Sequence, residues 1–457
     1  MDEIKEQLNA LHFEKALELL KHKPHTKERD LLCIRALRGV YHLEEALMIS
    51  MEHEEPAFLL ERAKCLFGLG KIEEAKELLE SLKPNPNRNL TLASLYGEVG
   101  EVRKAMFLLE QLDEKELHGF AKMDLVLLKA DLCSFQEKVD LAFGYYQQAL
   151  RLTDEWIPDN WKSLRRMLIK HNMADTYEQL EQEEKAIEIY ESALADMYEQ
   201  RKIDDQITDL AGYEMEFLLS IANCFSNAQN FEPADRYLEK AREKIGKLNE
   251  RSLPYFKARY AYIRALVRMN EEKEEEALRY FRQAYDLQKQ LIRLGKDKCE
   301  HLARSAYYLG SLLNDSKKEE KLHFFDVATP IFEQVIEKEP SFYMGALADM
   351  ENERGRLLGK IEHYDLAIDW YEKMLQRNEN DALANESLLV TMINRMFLDP
   401  LTYEGEVQCE LEQLRMEKEN IPFLYSICDL LHRQDHSIRF FEWLHDFERL
   451  LPQEFAA

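Results

Sequence analysis

Apolar residues recur along most of the chain at helical spacing, and they recur as a unit. In IANCFSNAQNFEPADRYLEKA, residues 221–241, Ala222, Phe225, Ala234, Leu238 and Ala241 fall at offsets 0, 3, 12, 16 and 19. An apolar helix with a set alanine returns as FEKALELL (13–20), LEEALMIS (43–50), IEEAKELLE (72–80), VRKAMFLLE (102–110) and VDLAFGYYQQAL (139–150). It continues as EKAIEIYESAL (184–194), FEPADRYLEKA (231–241), EEALRYFRQAY (275–285), DVATPIFEQVI (326–336) and YDLAIDWYEKML (364–375). The alanines are Ala16, Ala46, Ala75, Ala105, Ala142, Ala186, Ala234, Ala277, Ala328 and Ala367, spaced 29 to 51 residues apart. Twelve residues before them a small residue often stands (Ala63, Ala93, Ala130, Ala174, Ala222, Ala265, Gly355). Three residues further on comes a large one (Leu66, Tyr96, Tyr177, Phe225, Leu358). Small residues let two antiparallel helices approach, and large ones fill the gap beside them. The pattern predicts an all-α chain, an α-solenoid of about ten helix pairs. Glycine or a polar turn separates the helices, as in FGLGKIEEA and YGEVGEVRKA.

This pattern resembles the tetratricopeptide repeat, a stacked pair of antiparallel helices. The resemblance covers residues 2–376 and is strongest over 57–112 and 168–242. It implies a right-handed superhelix whose first helices line a concave face. The full signature of Trp, Leu-Gly, Tyr and closing Pro is absent, and the family's 34-residue period is not kept. The first units are shorter and the middle ones longer. The reading is therefore short repeats over 1–112, extended repeats over 113–376 and a C-terminal helical cap over 377–457. DEKELHGF, 113–120, marks the first boundary, and 381–398, 403–419 and 421–450 look like capping helices. YYLGSLLNDSKKEEKLHFFDVA holds a longer connection within its pair. The extended units resemble peptide-binding scaffolds and bacterial peptide-sensing regulators.

Composition narrows the function. With 15 Gly and 12 Pro in 457 residues, turn-formers are scarce, as a nearly all-helical chain requires. The 87 acidic against 61 basic residues give a net charge of −26. That balance argues against direct nucleic-acid binding and against adhesion to an anionic membrane. The start, MDEIKEQLNALHFEKALELL, is acidic and amphipathic, unlike a secretory signal, and no apolar run is long enough to span a bilayer. Seven scattered cysteines without a C-x-x-C pair read as reduced, mostly buried thiols, so a cytoplasmic protein is expected.

Candidate binding residues follow from the resemblance, in which the first helix of each pair carries the ligand contacts. Eleven residues before the alanines stand Lys5, Arg35, Lys64 and Ser94, then Asp131, Asp175, Asn223 and Leu266. With Arg38, the stripe Lys5, Arg35 and Lys64 can dock a carboxylate-rich peptide, or can be a solvated face paired with nearby glutamates. Asn223, directly after the small residue of its helix, matches the asparagine that holds a peptide backbone in extended scaffolds. An amide donates and accepts at once. Asn172 and Asp175 are the neighbouring candidates, but Asp175 and Leu266 interrupt the asparagine ladder; a polar residue facing water is the alternative. Leu32, Glu61 and Thr91 do not match a clamp for chaperone tails.

Cys428, His432 and His436 have metal-like spacing on a helix, but only His445 or Glu442 stands near enough in sequence to complete a four-ligand site, so a capping helix with surface histidines and no metal is expected. No phosphate loop, H-E-x-x-H or G-x-S-x-G occurs; no cofactor and no enzyme activity is expected. Trp161, Trp370, Tyr145, Tyr146, Tyr280 and Phe281 read as core. The leading reading is a non-catalytic adaptor that binds an extended peptide or helix of a protein partner, acidic where it meets the N-terminal groove. The alternatives are a peptide-sensing regulator acting through another protein, and a structural subunit that uses its convex face.

Overall fold

A computed structural model describes the chain apart from residues 10, 113–116, 118–119, 158, 205–206, 208–209, 249–251, 294–298, 379–380, 417–419, 433–436 and 452–457. Among the described residues every regular element is helical. The chain divides by contact into two compact units, Met1–Leu312 and Leu313–Ala457.

The first unit stacks helix pairs: α1 (Asp2–Asn9) with α2 (Phe13–Lys21), α3 (Lys27–Gly39) with α4 (Leu43–Met51), α5 (Pro56–Gly68) with α6 (Ile72–Ser81), and α7 (Pro86–Glu98) with α8 (Val102–Glu110). Longer pairs follow: α9 (Phe120–Phe135) with α10 (Val139–Trp156), α11 (Asp159–Gln179) with α12 (Glu183–Ile203), α13 (Leu210–Asn227) with α14 (Phe231–Ile245), and α15 (Ser252–Asn270) with α16 (Glu274–Arg293). Helix α17 (Cys299–Leu312) packs on α16. The lengthening read from the sequence is thus a lengthening of helices, and most of DEKELHGF lies outside the described residues. The second unit has a 3-10 turn (Asp315–Lys317), α18 (Lys318–Val335), α19 (Pro340–Leu358) paired with α20 (Ile361–Arg377), α21 (Ala382–Leu398), α22 (Pro400–Leu414), α23 (Ile421–His432) and α24 (Ile438–Leu450). Leu389, Ile393, Val407, Leu411, Leu424, Phe440 and Leu444 give its last four helices a core of their own.

All ten repeat alanines are fully buried, each 0% exposed. What fixes each pair is its turn. A left-handed residue ends the first helix at Leu11, Tyr41, Gly70, Gly100, Glu137, Glu181, Gln229, Glu272 and Gly359, with φ between 54° and 85°. The next amide donates five residues back, from Lys71 to the Leu66 carbonyl (2.9 Å), Glu101 to Tyr96 (2.8 Å) and Asn230 to Phe225 (2.8 Å). This is the Schellman closure, which satisfies carbonyls that a helix end leaves open. In eight turns the left-handed residue stands five before the repeat alanine.

The pair α19/α20 departs from that register. Five residues after Gly359 stands Tyr364, and Gly355 holds the place that Leu66 or Tyr96 fills elsewhere. A Cβ on Gly355 would meet the Tyr364 ring at 2.9 Å. Large and small have changed sides between the two helices. The sequence register, which made Gly355 the small partner of Ala367 and Leu358 the large one, is shifted here by three residues.

Between pairs, arginines close helix ends. Arg62 of α5 donates to the Ser50 and His53 carbonyls at the end of α4 (2.8 and 2.7 Å), and Arg88 of α7 to Leu79 of α6 (2.8 Å). The first pair also meets the sixth. Leu11 packs against the α11–α13 core, and His12 Nε2 lies 2.5 Å from Asp204 Oδ2, directly after α12.

Candidate functional site

Lys5 on α1 and Arg35 and Arg38 on α3 line one cavity of about 330 Å³, together with Leu8, Asn9, Phe13, Leu32 and Gly39. The Phe13 ring lies directly on the α3 backbone, where a Cβ on Gly39 would stand 2.3 Å from it. Beside the cavity Glu61 of α5, its side chain 3% exposed, accepts from Arg35 Nε (3.1 Å) and Arg38 Nη1 (2.5 Å). Lys64 Nζ is 3.8 Å from the same carboxylate and is not part of the cavity lining. Burial alone would raise the Glu61 carboxyl; Lys64, Arg38 and Arg35 together hold it below the usual value. Burial lowers the Lys64 ammonium, with Glu61 opposing and the two arginines adding. Lys5 pairs with Glu28 at 2.6 Å. Three of the four stripe residues thus line the cavity, while Arg35, Arg38 and Lys64 converge on the buried Glu61.

Further along, side chains join each first helix to the next. Asp131 of α9 accepts from Asn172 Nδ2 of α11 (2.8 Å) and from Tyr146 Oη of α10 (2.9 Å). Burial pushes Asp131 up to about 6; Asn172 and Tyr146 oppose, while Asp175 and Glu98 add. Ser134 bonds Thr176 and Gln179, each at 2.9 Å. Asp175 accepts from Tyr190 Oη and lies 3.2 Å from His171 Nδ1. Glu178 accepts from Tyr190 (3.0 Å) and from Asn223 Nδ2 of α13. Burial, then Asp175, raises Glu178 above the usual carboxylate value. Arg259 of α15 stands 3.3 Å from Glu216 of α13.

The asparagines therefore have structural work. The Asn172 amide is spent on Asp131 and the Asn223 amide on Glu178. Asn223 is 9% exposed, and its Oδ1 is buried with no hydrogen-bond partner among the described residues.

Sequence reasoning passed over Glu178 and took Tyr146 as packing alone. Tyr146 and Tyr190 are indeed buried, but each hydroxyl reaches a carboxylate fifteen residues back. The signal was present in two units: Tyr146 and Tyr190, four after their repeat alanines, have Asp131 and Asp175 eleven before them, and Leu238 and Phe281 stand where no such acid precedes; Tyr371, four after Ala367, has Arg356 there and reaches Asp349 instead. Phe281 is fully buried, while Trp161, Tyr145 and Trp370 pack half-buried against core clusters. Tyr280 is half-buried, with the Arg264 guanidinium 5.0 Å from its ring centre.

Cys33, Cys65, Cys133, Cys224 and Cys428 are buried, and Cys299 and Cys409 are exposed. Burial pushes the Cys428 thiol up to about 12, and His432 Nε2 meets Glu448 at 2.8 Å. His436 lies outside the described residues. Among the described residues no three His, Cys, Asp or Glu groups are placed to hold a metal ion, and no helix is long and apolar enough to cross a membrane.

Comparisons add a family and two distant folds. The family model described as "Tetratricopeptide repeat" matches residues 169–195. No curated protein matches. Among solved structures, a Rap protein complexed with competence and sporulation factor is 14% identical, covering 86% of this chain and 98% of its own, with a TM-score of 0.45. The apo form of RapI is 16% identical, covering 76% and 98%, with a TM-score of 0.38. Neither likeness is close enough to carry a binding property to this chain. The matched residues span the second half of α11 and the first half of α12, so the segment that holds Asn172, Asp175 and Glu178 is similar to a tetratricopeptide repeat and lies within an array of helix pairs.

Proposed function

We propose that the chain is a non-catalytic, cytoplasmic interaction protein that binds an extended segment of a protein partner along its first helices. The observation that carries the reading is Asn223. A buried acceptor without a partner costs about 1–3 kcal/mol, and a backbone N–H of a bound segment would recover it once the side chain turns outward from its shielded position. Asp131, Asp175 and Glu178 supply further acceptors on the same row, and Lys5, Arg35, Arg38 and Lys64 lie at its N-terminal end. The test is a tagged pull-down from the native cell with wild type and Asn223→Ala, read by mass spectrometry and by circular dichroism. The reading requires loss of a dominant partner from a variant that stays helical.

A second reading has its own support. Met48 and Met51 on α4 and Phe107 on α8 are 62–63% exposed on second helices. If partners dock there, Met48→Glu/Phe107→Glu loses them while Asn223→Ala keeps them.

A further inference from the structure

We infer that the cavity between α1, α2 and α3 is the seat of an oxyanion carried on an apolar stem, a carboxylate or a phosphorylated side chain flanked by apolar residues. The inference rests on the groove reading, since it names what one end of the bound segment carries. Charge comes first. Lys5, Arg35 and Arg38 all line the cavity, and no carboxylate does. The neighbouring acids cancel only part of this charge: Glu28, with Asp2 nearby, balances Lys5, Asp124 faces Lys64, and Glu61 sets one charge against Arg35 and Arg38. Within a chain of net charge −26 this is a local excess of cations.

Geometry comes second. Arg35 reaches Glu61 through Nε and Arg38 through Nη1. The two terminal nitrogens of Arg35 and the remaining Nη2 of Arg38 are left for a planar or tetrahedral oxyanion, which guanidinium groups bind in pairs of bonds. Glu61, itself nearly inaccessible, holds one bond to each guanidinium, which reduces the side-chain freedom lost on binding. The floor comes third. Leu8, Phe13 and Leu32 give the cavity an apolar wall, and Gly39 lets the Phe13 ring lie flat on α3. About 330 Å³ is room for a side chain or two, not for an extended chain. A bare inorganic ion would leave that wall unused.

The test uses the full chain and three fluorescein-labelled, amidated nonapeptides with Leu-Glu-Leu, Leu-phosphoserine-Leu or Leu-Gln-Leu at the centre, read by anisotropy. One anionic peptide is expected to bind at least tenfold tighter than the glutamine peptide, and which of the two does so identifies the oxyanion. Arg35→Gln/Arg38→Gln should abolish the preference. If that variant fails to fold, Lys5→Gln, exposed and bonded away from Glu61, should still weaken it several-fold. Equal affinity for all three peptides, or binding of none, overturns the inference. Asn223→Ala separates the two readings. If it weakens all three peptides equally and no anionic preference exists, the groove stands and the seat falls. If the preference exists and Asn223→Ala changes nothing, the seat stands alone and the groove falls.

Discussion

Asn223 on α13 donates its side-chain amide to Glu178 on α11, and its own carbonyl oxygen remains buried without a hydrogen-bond partner. One half of the side chain joins two neighbouring first helices; the other half is held in place, desolvated and unused. Gln136, Glu216 and Gln288 also carry a buried side-chain oxygen without a hydrogen-bond partner among the described residues, whereas most buried polar groups in native proteins are bonded to protein or to water.

The exchange of large and small residues between α19 and α20 predicts a non-additive pair. Gly355→Leu collides with the Tyr364 ring, and Tyr364→Ala opens a cavity; each should destabilise by about 2–4 kcal/mol. Together they rebuild the arrangement of Leu66 with Ala75, so the double variant should recover about 1–3 kcal/mol of the sum. Urea unfolding of the four proteins measures it; simple additivity would show that the two residues do not share a site.

Glu137, Glu181, Gln229 and Glu272 occupy left-handed backbone that glycine holds in the turns at Gly70, Gly100 and Gly359. An L-residue there costs about 1–2 kcal/mol, partly offset by the greater chain entropy glycine loses. Glu272→Gly should therefore stabilise by about 0.5–1 kcal/mol, read as a higher urea midpoint. Lys273→Gly, one residue later, should destabilise.

Asp131 titrates at about 6 in the folded chain, against an ordinary value of 3.8. Between those values the folded state holds a proton that the unfolded state has released, so stability falls as pH rises through that window. The contribution is whole below 3.8 and lost above about 6. Asp131→Asn should gain on wild type by up to about 2 kcal/mol on going from about pH 4 to about pH 7. A pH-independent difference would show that the carboxylate is well solvated.

His12 joins Gln7 (Nδ1 to Oε1, 2.8 Å) to Asp204 (2.5 Å), and so fastens the first helix pair to the end of α12. Asp204→Ala should speed amide hydrogen exchange in α1 and α2 at least several-fold and leave α15 and α16 unchanged. Unchanged exchange in α1 would mean that Leu11 packing alone holds the contact.

Much of the array was legible because alanine spacing is a packing rule: where two helices touch, only a small side chain fits, and all ten chosen alanines are buried. The α19/α20 register was not legible, because a swap of Gly355 against Tyr364 keeps the pair's volume while moving the small residue to the other helix. Lys5, Arg35 and Arg38 could be placed on one face from helical period alone. That Lys64 shares Glu61 with Arg35 and Arg38 without lining the cavity was not legible, because the convergence depends on how α3 packs on α5. The asparagines show the same limit. Period puts Asn172 and Asn223 on the first helices, but what their amides bond, Asp131 and Glu178, lies 41 and 45 residues away.

The most direct test of the central claim is the partner capture itself, with Asn223→Ala and Met48→Glu/Phe107→Glu beside wild type in one experiment. Binding along the first helices predicts that Asn223→Ala loses a dominant partner that the second-helix variant keeps, all three proteins being equally helical. The reverse pattern, with partners lost only from the Met48→Glu/Phe107→Glu chain, would contradict it and place the interface on the opposite face.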